Sequence, residues 1–201
     1  MVIVAGLSMM APDINAQSGY NPPPATARQK RHDSWQKDMA EFRARSEHDR
    51  MLHALADSLA SVQAAAAIKN QDFVLEAQSI TFKNGANTFV NSSTNFVAVK
   101  GSRAVVQVSP SNFASGPNGV GGVTVDGMIT DRKITRDNKG TITYSMNVMG
   151  VGINAQVEIY MYPNTNSATA VIYPNFNSNT VWMQGNIVPY ENSNVIEGSS
   201  L

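Results

Sequence analysis

After Asn70 the chain alternates apolar and polar side chains with a period of two, interrupted by Asn/Gly turns, and this limits the fold more than any other feature. From Thr141 to Met149, Ile142, Tyr144, Met146 and Val148 fall on one side, with Thr141, Thr143, Ser145 and Asn147 on the other. Successive side chains of a strand point to opposite faces, so such a segment lays its methyl-rich face on a core and leaves hydroxyls and amides in water. Ile153, Ala155, Val157, Ile159 and Met161 repeat the pattern. Further strands are predicted at Phe73 to Phe82, Thr88 to Val90, Phe96 to Val99, Ala104 to Val108, Val123 to Thr135, Ala168 to Tyr173 and Val181 to Val188. Turns such as Lys83-Asn84-Gly85, Lys100-Gly101-Ser102 and Asp137-Asn138-Lys139-Gly140 separate them.

Connections this tight disfavour parallel pairing, which needs crossovers of about a dozen residues or more. The expected fold is mainly β, an antiparallel meander whose one-sided alternation demands an enclosed apolar face. Closing the meander into an up-and-down barrel encloses that face and removes exposed edges. A two-sheet β-sandwich is the alternative. A chain of 201 residues suits one such domain, here placed at 71–198, with an appended helix.

Residues 1–16 read as a signal peptide. Val2 to Met10 form a short apolar run, Pro12 and Asp13 break it, and Ile14-Asn15-Ala16 offers a small residue at the cleavage position before Gln17. The run is too short to span a bilayer as a helix, and no Lys or Arg precedes it, a departure from the usual exported pattern. With no cysteine to lipidate, export predicts a soluble periplasmic or extracellular protein without a transmembrane segment. Residues 17–33, with Asn21-Pro22-Pro23-Pro24 and a basic run from Arg28 to His32, read as a Pro-rich, solvated linker.

A helical period begins at Ser34, the expected cap, and runs to Asn70. Trp35, Met39 and Phe42 recur at four and three residues, and Leu52, Leu55, Leu59, Val62 and Ala66 continue a narrow apolar seam. The polar stretch from Arg43 to Arg50 allows a break into two helices. The leucine seam is expected to cover a barrel mouth or flank.

All three histidines (His32, His48, His53) precede the strands, and the chain has no cysteine. His48 and His53, five residues apart, fall on different helix faces, unlike a chelating i, i+4 pair. The strand region therefore lacks the residue types behind most nucleophilic, acid–base and metal chemistry, and neither a catalytic residue, a metal site nor a cofactor is predicted. Fifteen basic side chains balance 15 acidic ones, which leaves no basic field for nucleic acid. A carboxylate pair such as Asp126 and Asp131 is the only enzymatic alternative, a hydrolase reading that nothing in the spacing requires. Gly116-Pro117-Asn118-Gly119-Val120-Gly121-Gly122 runs into a strand instead of a helix, so it reads as a sharp turn or a ligand-approach loop, not a phosphate cradle. Tyr160, Tyr162 and Trp182 oppose their apolar neighbours in parity; they can stack on sugars or dock a partner, and packing beneath the helix is the favoured expectation. Methionines 128, 146, 149, 161 and 183 would line a cavity or fill a core.

Gln71 to Ala77, Phe89 to Phe96, Gly116 to Gly122, Met149 to Gly152 and Pro174 to Asn179 together resemble domain of unknown function family 4251, exported Gram-negative envelope proteins. The resemblance covers roughly Ala66 to Gly198. It implies a small lipocalin-like barrel behind a signal peptide, with no assigned activity, cofactor or catalytic residue. Trp35 to Lys69 lies outside the shared motifs.

These readings converge on a non-enzymatic envelope protein that binds a small apolar or amphipathic ligand, or a partner surface, at a barrel mouth. Pro117, Asn118, Val120, Asn175, Phe176 and Asn177 are the predicted contacts. The alternative is a structural or interaction module tethered to an envelope protein through its helix.

Overall fold

The structure is a computed structural model that describes residues 24–109, 122–151, 153–175 and 180–198. Among these residues the strands are β1 (Asp72–Phe82), β2 (Asn87–Phe89), β3 (Phe96–Lys100), β4 (Arg103–Val108), β5 (Val123–Arg136), β6 (Ile142–Gly150), β7 (Asn154–Met161), β8 (Ser167–Pro174) and β9 (Val181–Pro189). All ladders are antiparallel, and β1 pairs with β9 from Phe73↔Pro189 to Phe82↔Val181. That last ladder closes the meander into an eight-stranded barrel with β2 as an extra strand, and so excludes the sandwich.

The predicted parity holds. Phe73, Leu75, Ile80, Tyr144, Met146, Ile159, Met183 and Ile187 are fully buried in one continuous interior cluster. An eight-stranded cylinder is about wide enough for side chains to fill, and burial of each large one contributes roughly 2–3 kcal/mol. Met128 and Met149, placed above among the lining candidates, instead face outward and are more than half exposed, because they fall on the other parity of β5 and β6.

Tyr144 packs edge-on against Phe73, with ring centroids 5.3 Å apart at 82°. Its hydroxyl has no hydrogen-bond partner among the described residues, and burial pushes its pKa up. An unsatisfied buried hydroxyl destabilises its fold, so Tyr144→Phe is expected to stabilise the protein by about 1 kcal/mol in urea denaturation. A loss of stability instead would mean that the hydroxyl is hydrogen-bonded after all.

β2 and β3 share one partner, β1, but in different halves: Thr81↔Asn87 to Ser79↔Phe89 at one end and Glu76↔Phe96 to Asp72↔Lys100 at the other. Between them residues 91–95 loop out of the ladder. Asn95 is fully buried there, and its Nδ2 donates to the carbonyls of Asn91 (2.9 Å) and Ser109 (3.0 Å) while its Oδ1 accepts from the Ser109 amide (2.6 Å). After a short 3-10 turn (Tyr190–Asn192), the C-terminal residues strap the outside of the barrel. Buried Gln107 donates to the carbonyls of Thr94 and Ile196 (3.0 Å each) and accepts from the Gly198 amide (2.7 Å). Under this strap Val74, Phe96, Ala98 and Val105 form a second apolar cluster with Val188, Tyr190 and Val195.

Helix α1 spans Ala25–Asn70 without interruption. The chain divides into two units, residues 1–49 and 50–201. In the first, the helix starts inside the expected linker: the amides of Ala27 and Arg28 donate to the Pro24 carbonyl at 2.9 and 3.2 Å. Ser34 does not cap it; its hydroxyl donates to the Arg31 carbonyl at 3.0 Å within the helix. Trp35 and Phe42 are exposed. The expected signal peptide lies outside the described residues.

In the second unit, the helix meets the barrel core at its C-terminal end and not along the predicted leucine seam. Ala64, Ala67 and Ile68 are buried in the interior cluster, while Leu52, Leu55, Leu59 and Val62 are 52%, 62%, 65% and 66% exposed. At about 100° per residue these two sets lie on opposite sides of the helix. Every residue from Met51 to Leu59 is exposed, so Leu52, Leu55 and Leu59 lie on a stretch of helix that buries no face, and only the last turns, from Ala64 on, reach the core. By length and composition alone the helix is also apolar enough to cross a membrane.

Candidate functional site

Strand direction sorts the connections between two rims. β1–β2, β4–β5, β6–β7 and β8–β9 turn at one rim; β3–β4, β5–β6 and β7–β8 turn at the other, where the helix ends. The two predicted ligand loops thus leave and re-enter the barrel on the same rim, opposite the helix. Pro117, Asn118, Val120, Phe176 and Asn177 lie outside the described residues. Asn175 is described, and it extends the β7–β8 ladder by one cross-strand pair: its amide donates to the Asn154 carbonyl and its Oδ1 accepts from the Asn154 amide, both at 3.0 Å. Gly122 has φ +71°, and a Cβ there would stand 1.9 Å from the Val108 carbonyl oxygen, so the end of the glycine loop is pinned against β4.

Asp126, Asp131, Glu158 and Glu197 are engaged in structure. Arg103 donates through Nε and Nη2 to the two oxygens of Asp126 (2.8 Å each) and through Nη2 to Glu197 (2.9 Å). These bonds, Asp126 first, hold the guanidinium firmly protonated and tie the strap to β4 and β5. Tyr190 donates to Glu197 at 2.8 Å, and Lys100 sits 4.6 Å above the Tyr190 ring. Asp131 lies within the break in the β5–β6 register between Thr130 and Lys133, at φ +50°, and accepts from Asn147 at 3.2 Å. Asp126 and Asp131 are therefore held by different partners and are not brought together as a pair.

The outer face of β7, β8 and β9 carries the aromatic side chains expected beneath the helix, and here the structure overturns the packing expectation. Tyr162 is exposed, and Tyr160 and Trp182 are partly so. Within residues 50–201 the helix docks through Ala64, Ala67 and Ile68 and leaves these aromatic side chains at least partly open. Tyr160 donates to Glu158 at 2.5 Å, a bond that, ahead of burial, pushes the phenol pKa up to about 12. Tyr162 is hydrogen-bonded to Thr169 at 3.0 Å. Register brings Thr169 opposite Gln184, Gln184 opposite Ser79 and Ser79 opposite Phe89, which is 84% exposed. These residues, with Ser167 and Asn186, line an open groove of about 420 Å³ between Tyr162 and Phe89. Outward parity was readable for Phe89 and Gln184, but their adjacency arises from the barrel-closing β1–β9 ladder, which local periodicity does not encode.

No functionally curated protein matches the chain. A family model described as Domain of unknown function (DUF4251) matches residues 56–187. A crystal structure of a DUF4251 family protein from Bacteroides eggerthii DSM 20697 is 45% identical, with a TM-score of 0.62, covering 70% of this chain and 95% of that one. A closed barrel with the predicted strand order, and a family match running from the helix end to β9, agree: the chain belongs to the DUF4251 family.

Proposed function

We propose that this chain is a non-enzymatic binding module, exported to the envelope, that meets a partner protein through the outward leucine face of its helix. One observation carries the reading: four large aliphatic side chains at spacings of three, four and three are each more than half exposed on a helix that is buried only near its C-terminal end, at Ala64, Ala67 and Ile68. Contiguous exposed apolar surface of this kind marks interaction sites, and seating each leucine against a partner contributes about 1–2 kcal/mol. A filled interior among the described residues moves recognition from the inside of the barrel to its surfaces. The two rim loops support a second reading, a small apolar ligand held by Pro117, Asn118, Val120, Asn175, Phe176 and Asn177, because topology gathers both loops on one rim.

The test keeps the helix end intact, since Ile68 is core. In-cell cross-linking of the full chain is expected to give an adduct mapped by mass spectrometry to residues 50–63. Leu55→Glu with Leu59→Glu should abolish it while leaving the thermal unfolding transition in place. Adducts that survive the double substitution overturn the reading, as does vesicle co-sedimentation that replaces cross-linking to protein.

A further inference from the structure

The groove on the outer face is independent of the helix contact and does not rest on it. We infer that it is a binding site for a neutral, linear oligosaccharide. Two exposed aromatic rings, Tyr162 and Phe89, stand at its ends, and such rings stack on the C–H faces of pyranose sugars. Between them Thr169, Gln184 and Ser79 follow one another in cross-strand register on β8, β9 and β1. Three strand spacings separate Thr169 from Phe89, about 14 Å at roughly 4.8 Å per strand, a span that a short run of pyranose rings covers.

The chemistry of the floor selects among ligands. Gln184 and Ser79 make no side-chain hydrogen bond among the described residues, so an amide donor, an amide acceptor and a hydroxyl are presented together. Paired donor and acceptor groups match vicinal sugar hydroxyls. None of the described lining residues is charged, so an anionic sugar, a phosphate or a charged peptide finds no counter-ion. β1, β8 and β9 are hydrogen-bonded on both sides at this point, so the groove floor offers an extended peptide no open strand edge to join. What the groove offers is side-chain hydrogen bonding bounded by two rings, at a volume in the range of small-molecule sites.

The experiment uses the full chain and a panel of neutral linear tetrasaccharides of glucose, mannose, galactose, xylose and N-acetylglucosamine, with a heparin-derived tetrasaccharide as the anionic comparison. Saturation-transfer NMR and isothermal titration are expected to show saturable, millimolar or tighter binding of at least one neutral member and none of the anionic one. Phe89→Ala and Gln184→Ala, both at exposed positions, should each weaken that binding about tenfold without shifting the thermal unfolding transition. The site assignment is overturned if no neutral tetrasaccharide binds at millimolar concentration, if binding is indifferent to both substitutions, or if the anionic sugar binds as tightly. None of these outcomes bears on the leucine face, whose cross-links are read separately.

Discussion

Gly185→Ala is expected to unfold the protein or to cost at least about 3–4 kcal/mol, a large share of the stability of a domain this size. Gly185 sits on β9 opposite Ala77, at the bulge where the β1–β9 ladder slips between Ala77 and Ser79. A Cβ there would stand 1.9 Å from the Glu76 carbonyl oxygen and 2.8 Å from the Ala77 Cα. Both are backbone atoms of the strand that closes the barrel, so relief requires the ladder to part, and no rotamer change suffices. Parting it restores two open edges and exposes Leu75, Ile80 and Met183 to water. Gly85 provides the contrast: its φ is +83°, but nothing lies within 4 Å of its Cβ direction, so Gly85→Ala should cost only the backbone strain of about 1–2 kcal/mol. Urea denaturation of both variants measures the difference. Comparable stability losses at the two positions would show that the seam yields.

The second large effect is expected at Asn95. Asn95→Leu keeps the branching of the side chain, with bulkier methyl groups, but leaves the Ser109 amide and the carbonyls of Ser109 and Asn91 without the side-chain partner each has now. Unsatisfied buried groups cost roughly 1–3 kcal/mol apiece, and relaxation toward water recovers part of that, so a loss of about 3 kcal/mol is expected. Because Asn95 also carries the carbonyl that receives the Ala77 amide (2.9 Å), hydrogen exchange should rise at Ala77 and Ser109 ahead of the rest of the barrel. Exchange that stays uniform would mean that the loop between β2 and β3 is held by its own turn geometry. Asn91 anchors that turn, its Oδ1 accepting from the Ser93 amide at 3.0 Å.

Legibility in the sequence followed the range of the interaction. Strand positions were readable to within a residue or two because period-two alternation is local, and Ile142, Tyr144, Met146 and Val148 all face inward as their parity requires. The helix was readable as a helix, yet the face it buries was not. Leu52, Leu55 and Leu59 carry the larger hydrophobic signal, whereas Ala64, Ala67 and Ile68 make the contact, because only the last turns of the helix reach the barrel core. The same limit explains Tyr160, Tyr162 and Trp182: parity put them outside, but whether the helix would cover them depended on a docking geometry no local window contains.

The order of side chains along this chain was thus enough to determine that its strands exist, that they pair antiparallel, and which half of each strand meets the core, since each of these depends on neighbours a few residues away. Closure through the β1–β9 ladder, the exposure of the leucine face, and the alignment of Tyr162, Thr169, Gln184, Ser79 and Phe89 into a groove were decided only in three dimensions. They depend on register and close approach between residues distant in sequence, and steric fit between such residues is absent from any local pattern.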